Sequence, residues 1–181
     1  YNLIPNETLN TLGLKVMREI GAPTYDEAEL KFAREISKSI PVEEKEAALK
    51  RSKVPGWEEL LEVDLDNRVL DPWDAGEVMP ASTDVGDVSW QSPTLSFTTT
   101  CFVLGAPGHS WQNVATSGMS IGHKGLKFAA KVIASASLEL LTRPEILKKA
   151  WEEFEERKKG KSYISPISMD QKPPIHLLKK E

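Results

Sequence analysis

Two histidines carry most of the chemistry this sequence could perform. His109 lies in GAPGHS (105–110) and His123 in IGHKG (121–125), both in Gly-bounded turns that follow the apolar run TLSFTTTCFVLG. Loops at the carboxyl ends of sheet strands are where α/β proteins place ligands. A neutral imidazole there binds a metal through one ring nitrogen while a carbonyl or carboxylate fixes the other. Each ring could equally bond a backbone carbonyl and do nothing more, and spacing alone does not choose. Asp84 and Asp87, in STDVGDVSW, stand at the start of a helical turn, where free amides favour carboxylates. Either they cap that turn, or one of them lines the cleft of His109, orienting an imidazole or contacting substrate. Cys101 sits among apolar neighbours and reads as an inert core thiol. Trp90 and Trp111 flank these loops as core lids or as walls of an aromatic pocket.

Absent motifs narrow the chemistry. The sequence has no GxGxxG, no phosphate loop ending in Gly-Lys-Ser or Gly-Lys-Thr and no HExxH. Nucleotide binding by a standard loop loses most of its weight.

The elements that must position these residues follow from periodicity. Asn6 is a good N-cap, and Leu9, Leu12, Val16 and Ile20 predict a helix over about 7–20, ended by Gly21 and Pro23. Thr24 to Glu27 reads as a capping box before a second helix with Leu30, Ala33, Ile36 and Ile40 as its stripe, stopped by Pro41. Residues 42–53 are charged, a short solvated helix or a mobile connection, and 54–80 read as loop with one strand near 60–65. A short strand over 78–82 and a helical turn over 83–90 come next. Residues 93–104 read as a buried strand. A long helix then begins near Gly122 or His123, with Leu126, Ala129, Ala130, Ile133, Ser137, Leu140 and Leu141 on the face that meets a sheet. Thr142 to Glu145 is a further capping box, opening a last helix with Ile146, Leu147, Ala150, Trp151 and Phe154 as its stripe and its end near Gly160. The tail from Ser162 lies extended against the body. Strands interleaved with helices predict an α/β fold, a mixed sheet covered by helices.

Composition bounds the class. With 181 residues the expectation is a single domain over 1–181, and 40% hydrophobic against 28% charged residues is too apolar for disorder. A net charge of -4 speaks against a nucleic-acid partner. No apolar run approaches the roughly 18 to 20 residues that cross a bilayer, and the start lacks the basic and apolar regions of a secretion signal. One cysteine cannot form an internal disulfide, so the cytoplasm is the expected compartment. The chain opens on Tyr1 rather than Met, the mark of a processed chain or of a piece of a longer one.

STDVGDVSW, then Pro93-Thr94 and a strand, GAPGHSWQ and SIGHKGLKFAAKVI together resemble the C-terminal part of an M20-type metallopeptidase or amidohydrolase. The opening YNLIPN and the helix ending in REIGAP resemble the segment where that family's chain re-enters its catalytic domain after an inserted dimerisation domain. The resemblance implies the C-terminal half of a zinc-peptidase-like catalytic domain. It implies a metal-dependent hydrolase of an amide bond next to glutamate, with an aminobenzoyl-glutamate-like or dipeptide-like substrate. Two zinc or manganese ions would share a bridging water, lowering its pKa and polarising the scissile carbonyl beside a general base. The family's late metal ligand is a histidine after a Pro-led strand. His109, followed by Ser110 and 16 residues after Pro93, matches it best. His123 is the rival ligand, or faces the substrate carboxylate, or caps the helix it opens. Asp84 matches an acidic position near the cleft and stands as a substrate-side residue.

The family's early motifs, Cys or His before Gly-His-Asp, paired glutamates and a middle histidine, have no counterpart in these 181 residues. One histidine cannot hold two metals, because tight binding of such ions needs three or four protein donors. The expectation is a fragment inactive alone, completed by an N-terminal part of the same protein and working as a homo- or hetero-oligomer. The alternative is a non-catalytic binding or assembly module of a heteromeric hydrolase.

Overall fold

The computed structural model describes residues 1–78, 81 and 83–175. Its regular elements are α1 (Glu7–Ile20), α2 (Glu27–Ser37), α3 (Val42–Ser52), a single 3-10 turn (Glu59–Glu62), α4 (Val85–Ser89), α5 (Trp111–Ser117), α6 (Ser120–Thr142) and α7 (Pro144–Lys158). Among the described residues there is no strand, so the expected mixed sheet covered by helices is corrected to an all-helical arrangement. None of the described helices is long and apolar enough to cross a membrane.

Helices α1, α6 and α7 pack on one another, and α5 packs on α6. Leu12 and Val16 of α1 meet Phe128, Val132 and Ala136 of α6 in one core, closed by Leu95, Phe97 and Val69 from extended chain. A second core joins Ala33, Ile36 and Ile40 to Leu65, Val103 and Ile121. A third holds Leu49 of α3 against Val54 and Leu60.

The start of α1 shows how these helices are tied. Asn6 is fully buried. Its Oδ1 accepts from the Leu9 N–H at 3.0 Å while its Nδ2 donates to the Ala150 carbonyl of α7 at 2.9 Å. The Glu153 carboxylate of α7 accepts from the N–H groups of Glu7 (2.6 Å) and Thr8 (2.9 Å) and from the Thr8 hydroxyl (2.8 Å). Burial opposes its charge, yet these donors and Arg157 hold its carboxyl down to about 2.

Residues 93–104 form no regular element, and at 95–98 and 102–103 their side chains alternate. Leu95 and Phe97 turn into the α1–α6 core and Val103 into the second, whereas Ser96, Thr98 and Phe102 are exposed. That period of two is what reads as a strand. A strand also needs a neighbour that returns its N–H and C=O groups in register. Residues 64–70 run alongside but supply one backbone bond, Leu104 N–H to the Asp64 carbonyl at 2.9 Å. The Thr100 hydroxyl, a side chain, takes the Asp66 carbonyl. Nor is 60–65 a strand: its first residues belong to the 3-10 turn. The expected strand over 78–82 includes Met79, Pro80 and Ser82, which lie outside the described residues.

Two capping boxes also shift. At α2 the box is Asp26 with Glu29, two residues along from the Thr24–Glu27 reading. Before α7 no box forms, because the Thr142 hydroxyl bonds back to the Leu138 carbonyl at 2.8 Å and Pro144 opens the helix unaided.

Helix α6 buries a different face from the expected one. Ile121, Gly122, Gly125, Phe128, Val132 and Ala136 are inside, whereas Leu126, Ile133 and Leu141 are exposed. Gly125 sets that orientation, since a Cβ there would strike the Thr100 carbonyl and the Cys101 sulfur. Gly125→Ala should therefore lower the stability read by urea unfolding by about 2 kcal/mol through overpacking. Alanine's better helix propensity pulls the other way, and an unchanged or raised midpoint would show that the close approach does not exist.

Candidate functional site

The turn that carries His109 is built from the end of the extended segment. Gly105, at φ 79°, reverses the chain where its Cα faces Lys45, and a Cβ would meet that residue's Cα at 2.9 Å. Lys45 is itself buried, its Nζ donating to the carbonyls of Leu61 and Val63, each at 2.7 Å. Burial lowers its pKa, while Asp64 and Glu62 act in the opposite direction. Beyond Gly108 the chain enters α5 through Ser110, whose Oγ accepts from the Asn113 N–H at 3.4 Å, and Asn113 Nδ2 returns to the Pro107 carbonyl at 3.0 Å.

His109 stands between these anchors at φ 58°. Lys53 and Lys159, the other described non-glycine residues with positive φ, close the C-termini of α3 and α7, where such a backbone is routine. His109 closes no helix. A left-handed histidine held by its neighbours costs conformational energy, and such positions gather at ligand sites. The residue is exposed, and no hydrogen bond to its ring is found among the described residues.

His123 occupies the first turn of α6, exposed, with its backbone N–H bonded to the Met119 carbonyl at 3.0 Å. The packing of α5 on α6 places both histidines on the same helical pair, one ahead of α5 and one just after it. Asp84 is elsewhere. It precedes α4 but its carboxylate caps nothing; the Thr83 hydroxyl takes the Val85 N–H at 3.2 Å instead. Helix α4 is tied to the opposite end of the chain, with Ser89 Oγ accepting from Ile4 N–H at 2.9 Å and Trp90 Nε1 donating to the Asn2 carbonyl at 2.9 Å. No hydrogen bond or ion pair among the described residues joins α4 to the His109 turn. Asp87 is half-buried beside Tyr163, whose pKa rises through burial and through that carboxylate. Cys101 is half-buried rather than in the core, with its sulfur 3.9 Å from the Gly122 carbonyl. Trp111 is 58% exposed and so lids no core.

An open groove of about 900 Å³ adjoins the same turn, between Gly105–Gly108 on one side and Glu44, Arg51, Lys53 and Glu77 on the other. Its rim is crossed by the Lys53–Glu77 ion pair at 3.0 Å. Among the described residues no three of His, Cys, Asp or Glu come together as metal donors. These residues do not fit a complete metal pair.

Sequence reasoning missed the ion pair beside His123. Glu29 of α2 is only 3% exposed, and its carboxylate accepts from Asp26 N–H (2.8 Å) and Lys124 Nζ (2.5 Å). Burial works against the charge, but Lys124, the Ser120 hydroxyl and the Asp26 amide together hold this carboxyl down to about 2. Lys124 also donates to the Thr24 carbonyl at 2.9 Å and lies 5.6 Å from the Tyr25 ring. The buried Tyr25 hydroxyl is without a partner among the described residues; burial first, then nearby Cys101 and Glu29, push it up to about 12. The visible signal was the Asp-x-x-Glu spacing of residues 26 and 29, which marks a cap and says nothing of a lysine nearly a hundred residues later.

The chain is similar to one of the subunits of p-aminobenzoyl-glutamate hydrolase from Escherichia coli (strain K12), 31% identical over 171 residues that cover 91% of this chain and 36% of that protein. It thus spans little more than a third of that relative's length, and the likeness relates it to a component of a hydrolase. No protein-family model matches the chain. No solved structure matches it.

Removing the lysine from the Glu29 pair leaves a buried carboxylate uncompensated, so Lys124→Met should cost about 3 kcal/mol in urea unfolding at neutral pH. Because the Glu29 carboxyl is depressed from 4.5 to about 2, its contribution is complete above about 4.5 and is lost as pH falls through about 2. The stability gap between wild type and Glu29→Gln should be constant above that range and close between the two values. A gap independent of pH would show that the fold leaves the Glu29 carboxyl at its ordinary pKa.

Proposed function

We propose that this chain is one part of a metal-dependent amidohydrolase of M20 type, acting on an amide bond next to a glutamate in an aminobenzoyl-glutamate-like substrate. His109 carries the proposal. It is an exposed histidine without a ring partner among the described residues, held in a left-handed turn, in a chain 31% identical to part of a hydrolase named for that substrate. In this reading His109 is one ligand of a site for two zinc or manganese ions, and the remaining donors come from a part of the same protein outside these residues. His123 is the rival ligand, or takes the substrate's carboxylate from the first turn of α6. The groove beside Gly105–Gly108 forms part of the substrate wall. Asp84, whose carboxylate caps nothing, is a substrate-side residue on the α4 surface.

A second reading is favoured by one observation, the absence among the described residues of any metal-donor trio. Under it the chain is a non-catalytic binding or assembly module, a role that suits a relative named as one component of an assembly.

The two separate on the longest natural polypeptide or complex that contains this chain. Metal content and aminobenzoyl-glutamate hydrolysis are measured for wild type, His109→Ala and His123→Ala. About two bound metals in wild type, with loss of one site and about a hundredfold or more of activity in His109→Ala, is the expected result. If His109→Ala behaves as wild type and His123→Ala does not, the ligand is His123. A completed protein that binds no metal and hydrolyses nothing would leave the assembly module.

A further inference from the structure

Asn113 closes the turn that carries His109. Its Nδ2 donates to the Pro107 carbonyl at 3.0 Å and its backbone N–H to Ser110 Oγ at 3.4 Å, so one residue of α5 is fastened on both sides of the histidine. Its Oδ1 stands apart. That oxygen is shut off from solvent and accepts no hydrogen bond among the described residues. Exchanging the amide's oxygen and nitrogen does not resolve this, because two carbonyl oxygens would then face each other at Pro107. A buried acceptor left empty is costly, and folded proteins nearly always supply a donor.

The side-chain donors of this loop are the Ser110 hydroxyl and the His109 ring. Ser110 Oγ already faces the Asn113 N–H and makes no bond to Oδ1. The His109 ring is exposed, without a hydrogen bond among the described residues, and hangs from a backbone held at φ 58° in the middle of the loop. An exposed ring turns readily about its side-chain bonds. Nδ1 is the ring nitrogen nearer the backbone, and so the one that meets a group lying along the loop.

We propose that Asn113 is the positioning residue of His109, its Oδ1 accepting from the ring Nδ1–H so that Nε2 is unprotonated and turned outward. A second hydrogen bond of this kind fixes both the tautomer and the direction in which the ring offers its lone pair. The inference rests on the proposed function for the use of that lone pair, and on the turn alone for the bond itself.

Nuclear magnetic resonance tests it on the whole 181-residue chain. Long-range proton–nitrogen correlations read the Nδ1–H to Nε2–H ratio at about pH 8.5, where an imidazole of ordinary pKa is neutral. An unconstrained imidazole keeps its proton mostly on Nε2, and an unfolded peptide of residues 105–114 supplies that reference. The wild-type His109 ratio should exceed the reference at least about fivefold, the ordinary worth of one hydrogen bond, and Asn113→Ala should lose that excess. Asn113→Asp keeps an acceptor while giving up the Nδ2 bond to Pro107, and should hold the wild-type ratio. An unchanged ratio in Asn113→Ala overturns the inference. So does a ratio in Asn113→Asp as low as in Asn113→Ala, because the Pro107 bond and not the ring contact would then orient the histidine. If a variant does not fold, the wild type decides alone, and a ratio no higher than the peptide's overturns it. The ring is read without metal or substrate, so the two readings fail separately. A completed protein that hydrolyses while the ratio stays at the reference refutes the bond alone, and one that binds no metal while the ratio swings refutes the hydrolase reading alone.

Discussion

The carbonyl of Thr100 occupies the space that a side chain on Gly125 would fill, and the rest of the structure is arranged around that contact. Extended chain and helix can approach so closely only where the helix has no Cβ. From there the chain runs through Val103, buried in the second core, to the Gly105 reversal and His109. Helix α6 runs back from the same contact through Lys124 and His123. One backbone approach thus fixes both candidate histidines relative to a common point, and α5 closes the path between them.

Electrostatics holds the two ends of this arrangement. Glu29 and Lys124 tie α2 to the first turn of α6, and Glu153 ties α7 to the start of α1. In each case the carboxylate is held ionised by backbone N–H donors as well as by a cation. Such pairs add little where water reaches them and much where removal of one partner strands a charge. The exposed pairs on α3 and α7, such as Lys50–Glu46 and Lys148–Glu152, belong to the first kind.

Local chemistry was legible in the sequence wherever one residue decides an element's end. Asn6 caps α1 as its type and spacing predict, Pro41 stands between α2 and α3, and Pro144 opens α7. The choice of face and the identity of the partner were not legible. Residues 93–104 alternate as a strand does, yet alternation records only that one side is covered, and here helices cover it. On α6 two apolar rows compete, and the buried one is selected by Gly122 and Gly125, which admit backbone, rather than by the larger Leu and Ile residues. For the site, residue type pointed to His109 and His123, while the left-handed backbone at His109 and the ion pair beside His123 depend on contacts distant in the chain.

Under the proposed function, this chain brings a single, well-held histidine to a site it does not complete. Zinc titration of the 181-residue chain by calorimetry addresses it directly. No stoichiometric uptake tighter than about micromolar is expected, because one imidazole lacks the further donors that tight binding requires. Stoichiometric binding well below that concentration, abolished by His109→Ala, would contradict it and show a metal centre complete within the chain.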